Sequence, residues 1–431
     1  EVVVHAGTYH ETVEMYSGGT EGAPVVIRAA GDGEAVLDGA DPALRDPLGW
    51  TDEGGGVWSA AAAETRYVAV DGVRLWNYLD AGSLAAAPAG GGGFYWEAGS
   101  VHVLIPGGGT PATRSMAVSS LGRAFWLEGA PNVVIRDLVI RCYGAEEYSE
   151  GIMVRDGSHG VWIVDTTFEN VMPGIWVKGQ VDDLTVTGCT FSDVGLADFD
   201  WYEVKARGGM ESGAIAIDDE YDGRGIVFVD NTVRDSFDGM RMCGNTDLDH
   251  PIHADVIRNS FRHLGDDGIE TDGVCPDVRI VGNRWEDMLV GVSAAPAVVG
   301  PLWVIRNLMV FHRNVAAGSD WMSRPLKFNV GDDRPSGEIF VYHNTGWAGE
   351  DGQMAFTVTD DSRWARLVDV NNVWVGTDMG YYYVNEGDEP IEVDYDVVFS
   401  TTGADLFYWQ GTHHADVAAF EAATGMMANG I

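Results

Sequence analysis

The segment from Ile226 to Val310 contains one unit four times: IVFVDNTV (226–233), DVIRNSF (255–261), VRIVGNRW (278–285) and LWVIRNLM (302–309). Each unit is a run rich in β-branched residues that includes an asparagine, and positions 231, 259, 283 and 307 follow one another after 28, 24 and 24 residues. Regular spacing of this size is typical of a solenoid with one coil per repeat. Asn344 and Asn372 continue the pattern downstream, and Asp137, Thr166 and Cys189 fill the same slot upstream. The repeat therefore spans most of the chain.

Shorter runs lie between these units, among them GIMVRDG (151–157), GIWVKG (174–179), DGMRMCG (238–244) and DGIETDG (267–273). Their alternation places one side chain inward and the next outward, as in a β-strand. Two or three short strands per coil, with Gly and Asn at the corners, indicate a parallel β-helix. Stacked coils place the recurring asparagines above one another, so we expect a side-chain ladder with a purely structural role.

This pattern resembles the right-handed parallel β-helix proteins of the pectin-lyase-like superfamily, over about residues 123 to 375. The opening VVVHAGTYHETV (2–13) and GAPVVIRAAGDGEAVLDG (22–39) resemble the first coils of secreted, polysaccharide-acting members. The predicted fold class is all-β, a right-handed parallel β-helix. We expect one domain made of first coils (1–40), an antiparallel insertion (41–122), regular coils (123–375) and a C-terminal cap (376–431) with a short helix at 415–423. The superfamily contains lyases, hydrolases, epimerases and tailspikes, so the fold does not fix the reaction.

The composition limits the partners. The formal net charge is −40, from 66 acidic and 26 basic residues, and Lys178, Lys205 and Lys327 are the three lysines. Such a chain repels nucleic acid, and it repels a polyanionic substrate unless local cations or a metal intervene. No run of 18 apolar residues exists that could span a membrane. The family resemblance implies a polysaccharide partner, and we expect a monomer.

The start of the chain and the cysteines bear on its compartment. Glu1 begins within a strand-like run, which we interpret as the point after a removed leader of a secreted protein. Cys189 occupies the asparagine slot and is expected to be a buried thiol. Cys243 and Cys275 end strands of neighbouring coils, so either a disulfide or two inert thiols fits the sequence.

The densest titratable cluster lies on one outer face. If Ile217, Met240 and Ile269 point inward, then Asp218, Arg241 and Glu270 point outward on three successive coils. The two carboxylates of this column would then be about 9–10 Å apart. Asp219, Glu220, Asp238, Asp266 and Asp267 lie beside it. Glycoside hydrolysis needs one protonated and one ionised carboxyl group, so this face is the predicted active site.

Two motifs here resemble the polygalacturonase-type hydrolases. FDGMRM (237–242) and GDDGIET (265–271) stand in successive coils, where that family has an Asp-Gly strand and an Asp-Asp strand. The resemblance implies that Asp238, Asp266 and Asp267 match the acidic triad and that Lys327, in RPLKF, binds substrate. LVGVSA (289–294) has no histidine where the family carries one. Asp267 could instead cap a turn through its side chain. The predicted catalytic set is Asp238, Asp266, Asp267, Glu270 and Arg241.

Substrate contacts are expected from the same face and from two long interruptions of the repeat, at 196–212 and 312–324. The predicted substrate-binding residues are Trp176, Lys178, Asp218, Asp272 and Lys327 on the face, and Trp201 and Trp321 on the interruptions. Loops of this length are commonly functional walls.

Two other functions remain open. A polysaccharide lyase would use β-elimination on a uronate chain, with Arg241 or Lys327 as the base and Ca²⁺ held by Asp218, Asp219, Glu270 and Asp272. A hydrolase needs no cofactor. The third alternative is a noncatalytic glycan-binding β-helix. The His- and Asp-rich stretch 245–255 and the pair His413 and His414 have no metal-ligand spacing, and we interpret them as solvated polar segments.

Overall fold

The computed structural model describes residues 1–88, 90–145, 149–171, 173–207, 211, 213–244, 252–311, 313, 315–328, 334–350, 353–359, 362–385, 387, 389–403 and 405–431. Within these ranges the chain winds into a parallel β-helix, and a typical coil contributes one strand to each of three parallel stacks. We name the stacks sheets I, II and III in the order in which a coil visits them. The predicted fold class is confirmed.

The strand bounds define the sheets. Sheet I contains Val2–Val4, Val25–Ala29, Val133–Arg136, Ser158–Val164, Val181–Thr187, Arg224–Val229, Ala254–Ile257, Val278–Val281, Leu302–Ile305, Ser336–Tyr342, Trp364–Val370 and Ile391–Asp394. Sheet II contains Gly7–Tyr9, Ala35–Asp38, Val139–Arg141, Thr167–Glu169, Thr190–Ser192, Thr232–Ser236, Leu308–Phe311, Thr345–Ala348, Val373–Gly376 and Val397–Ser400. Sheet III contains Val13–Met15, Arg123–Glu128, Glu150–Arg155, Ile175–Lys178, Ile215–Ile217, Met240–Arg241, Arg324–Phe328, Met354–Val358, Met379–Tyr383 and Phe407–Trp409. Two long strands, Ser260–Glu270 and Arg284–Ala294, run through sheets II and III without a break.

An antiparallel insertion separates the second coil's strands in sheets II and III. Its four-stranded sheet consists of Thr51–Gly54, Val57–Ala61, Gly93–Glu97 and Ser100–Leu104, and its three-stranded sheet of Val68–Val70, Val73–Arg74 and Met116–Val118. The 3-10 turns Pro42–Arg45 and Pro47–Gly49 and the helix Ala81–Ala85 complete it. The Arg74 guanidinium reaches Asp193 of the coils at 2.8 Å, with both side chains 6% exposed. This buried ion pair fixes the insertion against the coils of the β-helix.

The C-terminal part continues the coils before it caps them. Parallel pairing extends past residue 375, because Met379–Tyr383 pairs with Phe407–Trp409 and Val373–Gly376 with Val397–Ser400. The strand Thr412–His414 then turns back antiparallel, and the helix Val417–Thr424 follows with Asp416 as its N-cap. Phe420 of this helix stacks on Phe407, with ring centroids 4.2 Å apart. The helix thus shields the open end of the solenoid, which would otherwise expose unpaired edges.

The asparagine ladder forms as predicted. The side-chain oxygen of Asn259 accepts from the backbone N–H and the side-chain amide of Asn231, at 2.9 and 3.0 Å. The same pattern repeats through Asn283, Asn307, Asn344 and Asn372. All six asparagines are at most 2% exposed, so the ladder satisfies buried backbone groups at one corner of every coil it crosses.

The two ends of the ladder differ from the prediction. Cys189 begins it as a buried free thiol, as expected, and its backbone N–H donates to Asn231. Further upstream the slot holds Thr166 and then Leu138, whose carbonyl oxygens accept from the next coil. Asp137 precedes the slot by one residue, so its predicted place was wrong. Asp396, which the sequence reading missed, closes the other end by accepting from the Asn372 N–H at 2.6 Å.

The register of sheet III overturns one predicted column. Ile175 pairs with Ile215, Ile215 with Met240 and Met240 with Ile269. Arg241 therefore stands beside Ala216 rather than Asp218, and beside Glu270 on its other side. Alternation alone cannot detect a shift of two residues, because Ala216 and Asp218 point to the same side of the sheet.

Candidate active site on the outer face of sheet III

A β-bulge lies at the centre of the predicted site. Ser236 pairs with Leu264 and Met240 with Ile269, so four residue steps of one coil match five of the next. The register of Ser260–Glu270 also shifts against the following coil, between Leu264 and Asp267. The extra residue falls at the corner where sheet II passes into sheet III. Bulges of this kind redirect side chains and are frequent beside active sites.

The first carboxylate beyond the bulge, Asp266, is held by a lysine from the first long interruption. Asp266 is 2% exposed, and its Oδ2 lies 2.6 Å from the Lys205 ammonium. Lys205 also forms an ion pair with Glu211. Burial and the neighbouring Asp267 raise the pKa of Asp266 to about 6, against the opposing effect of Lys205.

Asp238 lies directly beneath this pair. Its Oδ1 accepts a hydrogen bond from the backbone N–H of Asp267 at 3.1 Å, and Asp238 is only 4% exposed. Burial, followed by repulsion from Asp266, raises the pKa of Asp238 well above its ordinary value. Burial disfavours the ammonium of Lys205, but Asp238, Asp266 and Glu211 outweigh it and raise the pKa of Lys205. The two buried aspartates thus lie beside one partly exposed ammonium group.

The second carboxylate, Asp267, is held by the lysine of the RPLKF strand. Glu270 pairs with Ser293 on the next coil, and Ser293 pairs with Lys327 on the coil after that, so the three side chains form one column. The Lys327 ammonium reaches the two carboxylate oxygens of Asp267 at 3.1 and 3.3 Å. Burial opposes the ammonium charge of Lys327, but Asp267 and Asp272 overcome this and raise its pKa. Lys327 therefore holds Asp267 as Lys205 holds Asp266.

Glu270 has a contrasting environment on the same strand. The residue is half-buried, and Arg241 adjoins it in the column. Burial, together with repulsion from Asp272 and Asp267, raises the pKa of Glu270 to about 8, although Arg241 acts against this. At neutral pH Glu270 is consequently protonated and can donate a proton. Asp272 accepts from the Ser293 hydroxyl at 2.9 Å and from the Ala295 N–H at 2.6 Å, and burial raises its pKa as well.

The residues proposed for calcium do not form one ligand set. Asp219 is engaged by Arg241 at 2.7 Å, whereas Asp218 lies 3.7 Å from the Lys178 ammonium, which also meets Glu220 at 3.2 Å. Asp218 extends the column of Lys178, not that of Glu270. Among the described residues, no group of three or more His, Cys, Asp or Glu side chains has a geometry that could hold a metal ion. We therefore derive no catalytic step from calcium.

The two long interruptions meet above the bulge. The N–H of Trp201, in the short helix Trp201–Lys205, donates to the Ala317 carbonyl at 2.7 Å. Trp201 also packs against Leu289, Val290 and Ala316. The Lys205 ammonium lies 5.5 Å from the centroid of the Trp201 ring. The wall therefore places Lys205 over the aspartates, and Trp201 supports that lysine.

The other predicted aromatic contacts are more open. Trp321 is 51% exposed, and the guanidinium of Arg324 lies 5.7 Å from its ring centroid. Trp176 is half-buried in the outward column between Met153 and Ala216. Trp201, by contrast, packs into the wall.

Sequence reasoning missed three members of the cluster: Lys205, Glu211 and Arg324. Arg324 stands two coils from Asp267 in the same column, and burial lowers its pKa against the attraction of Asp267 and Asp266. One signal was available in the composition. All three lysines of this acidic chain lie at this face, each paired with carboxylates. A scarce cation that recurs at one face marks a place where carboxylates must be held together.

The remaining polar segments do not join the site. Of the stretch 245–255, residues 245–251 lie outside the described residues, while His253 pairs with Asp277 at 3.0 Å and Asp255 with Arg279 at 2.8 Å. His413 lies 3.3 Å from Asp405, and His414 packs against Phe420 in the cap. Cys243 and Cys275, both fully buried in the core, are joined by a disulfide, which resolves the two alternatives left by the sequence.

Comparisons with known proteins support the fold. No family model and no curated protein sequence matches the chain. The solved structure of XylC with xylose matches over 92% of this chain and 78% of its own, with 11% identity and a TM-score of 0.54. A glycoside hydrolase matches over 99% and 91%, with 12% identity and a TM-score of 0.45, and the periplasmic alginate epimerase AlgG over 66% and 58%, with 13% identity and a TM-score of 0.34. At 11% identity the likeness to XylC shows a shared fold and nothing finer, and no argument rests on the two structures with TM-scores below 0.5.

Proposed function

We propose that this protein hydrolyses glycosidic bonds of a polysaccharide that lies along the outer face of sheet III. Glu270 acts as the general acid, and Asp267, which the Lys327 ammonium holds, acts as nucleophile or as base for water. The observation that carries the proposal is the contrast between these two groups. Glu270 has its pKa raised to about 8 by burial and by neighbouring carboxylates, whereas Asp267 receives an ammonium on both of its oxygens. Environments that separate two carboxyl groups in this way suit acid–base hydrolysis.

The other charged groups have supporting roles. Lys205 and Lys327 hold Asp266 and Asp267 in place, and Asp238 positions the bulge through its hydrogen bond to the Asp267 N–H. Arg241 is the neighbour of Glu270 in the column, and its guanidinium forms an ion pair with Asp219. We propose that Trp176, Trp321, Lys178, Asp218 and Asp272 contact sugar units of the bound chain.

Two features support hydrolysis over β-elimination. Elimination from a uronate chain needs cations that are free to neutralise the sugar carboxylate, and a base that removes a proton. Here Lys205, Lys327 and Arg241 are already engaged with protein carboxylates. The net charge of −40 also repels a polyuronate chain. The proposed substrate is accordingly a glycan with few or no acidic groups.

The compartment follows from the same chemistry. The disulfide between Cys243 and Cys275 is typical of oxidising compartments, where extracellular polysaccharides are also found. We therefore propose a secreted or periplasmic location. No helix among the described residues is long and apolar enough to cross a membrane.

The test is an activity screen with the purified protein. Xylan is included because a protein with this fold has been solved with xylose, together with arabinan, β-glucan, polygalacturonate and alginate. We expect new reducing ends without ultraviolet-absorbing unsaturated products, and no loss of activity after chelation. Glu270→Gln and Asp267→Asn should each lower kcat by about 100-fold or more. Unsaturated products would select the lyase, and saturable binding without any product would select the noncatalytic glycan-binding protein.

A further inference from the structure

A second groove lies on a different side of the solenoid, on the outer face of sheet I. It has a volume of about 1020 Å³ and is lined by residues of the strands Val133–Arg136, Ser158–Val164 and Val181–Thr187. The turn at Gly19–Pro24 forms one wall, held by a hydrogen bond from the Gly19 N–H to the Pro131 carbonyl at 2.8 Å. None of the predicted catalytic or substrate-binding residues contributes to this groove.

Trp162 is the dominant side chain of the groove. It points outward from sheet I and is 48% exposed, in a chain where most tryptophans are buried or half-buried. Its neighbours in the column are Val134 and Thr185, and Gly160, two residues earlier on the same strand, has no side chain. These small neighbours leave the indole ring accessible. Trp303, in the same sheet, is different because its ring stacks on Phe340 at 4.2 Å.

The surroundings of Trp162 are mixed in polarity. Val134 and Val164 provide an apolar floor, whereas Asn132, Arg136 and His159 provide hydrogen-bonding groups around it. Arg136 is fixed by Asp137 at 2.7 Å, which orients its guanidinium before any ligand arrives. The backbone of Gly160 has φ of 61°, and a Cβ there would meet the Asn132 side chain at 2.9 Å. Asn132 therefore occupies the space that Gly160 leaves open.

We propose that this groove is a noncatalytic glycan-binding site in which a sugar ring stacks on Trp162. A pyranose has an apolar C–H face and a rim of hydroxyl groups, which matches an exposed indole over an apolar floor with an amide, an imidazole and a guanidinium around it. A lipid tail would not suit the polar rim, and the net charge of −40 repels nucleic acid. The site goes beyond the proposed function and depends on it only for the class of ligand. It would keep the protein on a polymer while sheet III acts on another segment.

The experiment compares Trp162→Ala with the parent protein in native gels cast with xylan, arabinan, β-glucan, polygalacturonate or alginate, both proteins also carrying Glu270→Gln to prevent cleavage. At least one neutral glycan should slow the parent, and Trp162→Ala should weaken that association about tenfold. Trp347→Ala is the matched control, because Trp347 is 38% exposed on the outer face of sheet II, away from the groove. This control should migrate as the parent does.

A second measurement separates this inference from the proposed function. In the active protein, Trp162→Ala should keep its kcat on short soluble oligosaccharides and lose activity only on long or insoluble chains. Unchanged retardation of Trp162→Ala, or no retardation of the parent by any of the five glycans, overturns the second site. An equal loss of kcat on short and long substrates overturns it too. If the unmodified protein forms no product, the proposed function is contradicted, whereas the second site is still decided by the retardation of the parent and of Trp162→Ala in the gels.

Discussion

Glu270 is the residue whose protonation state decides the proposed chemistry. Its pKa is raised to about 8, so the general acid is present below that pH and is lost as the pH rises through it. We expect kcat/KM to fall tenfold per unit above about pH 8. The residual activity of Glu270→Gln should show no such alkaline limb, and substrates with good leaving groups should lose least. Glu220→Gln is the control, because Glu220 is 72% exposed and stands outside the cluster. An unchanged alkaline limb in Glu270→Gln would assign the acid to another group.

The ammonium of Lys205 offsets the free-energy cost of burying the carboxyl groups of Asp238 and Asp266. Lys205→Met leaves Asp266 and Asp238 without their cation, and we expect a loss of about 2–4 kcal/mol in the free energy of unfolding. Adding Asp266→Asn should restore part of it, giving a coupling of about 1–3 kcal/mol in a double-mutant cycle measured by urea unfolding. Lys178→Met should cost less than about 1 kcal/mol, since its partner Glu220 is largely exposed. Additive effects of the Lys205 and Asp266 substitutions would show that the two groups do not interact.

Residue types were easier to predict than residue neighbours. Asp238, Asp266, Asp267 and Glu270 could be grouped because successive coils bring equivalent positions within one strand spacing. Lys205 could not, since it comes from a helix inside an aperiodic loop and reaches the cluster only by tertiary packing. Asp218 was misplaced for a related reason. Because the aperiodic loop precedes the strand Ile215–Ile217, the sequence does not show at which residue this strand begins to pair. Alternation cannot correct the error, since a shift of two residues leaves the same side chains facing outward.

The strand Ser260–Glu270 is the element that creates the site, because its extra residue turns the two aspartates toward different lysines. Deleting Gly265 would restore the count of the preceding coil. We expect the β-sheet content to persist and the melting temperature to change by only a few degrees, about 1–2 kcal/mol, while activity is lost. Circular dichroism and the reducing-end assay would measure the two effects.

A deletion in the next strand is the matched control for this experiment. Removing Leu289 from Arg284–Ala294, which lacks an extra residue of its own, should shift every later side chain of that strand to the opposite face. We expect it to unfold the protein or lower its melting temperature far more than removal of Gly265 does. Similar losses of stability from both deletions would mean that the bulge is an integral part of the fold and not an addition to it.

At the scale of the whole molecule, the repeat in the sequence determines the winding, and departures from the repeat form the candidate site. The asparagine spacing was sufficient to predict the coils, because each coil presents the same buried backbone groups to its neighbour. The loops, the bulge and the insertion break the period, and local pattern carries no information about where they pack. Those departures form the wall and the candidate site, which explains why the fold was predictable and the geometry of the site was not.

The ladder that runs along the molecule ends in a carboxyl pair, and this end should make stability depend on pH. Burial raises the pKa of Asp369 to about 7 and, with repulsion from Asp369, that of Asp396 to about 10. Both keep a proton in the folded state where the unfolded chain has lost it, so the free energy of unfolding falls as pH rises from about 4 toward 10. Asp396→Asn can still accept from the Asn372 N–H and can donate to Asp369 without titrating. We expect it to raise the melting temperature at pH 9 by about 2–5 °C, to change little at pH 5, and to flatten the slope between them. Asp277→Asn, which removes one surface charge three to four coils away from Asp369 and Asp396, should leave that slope intact, and an equal effect of both substitutions would attribute the slope to net charge instead.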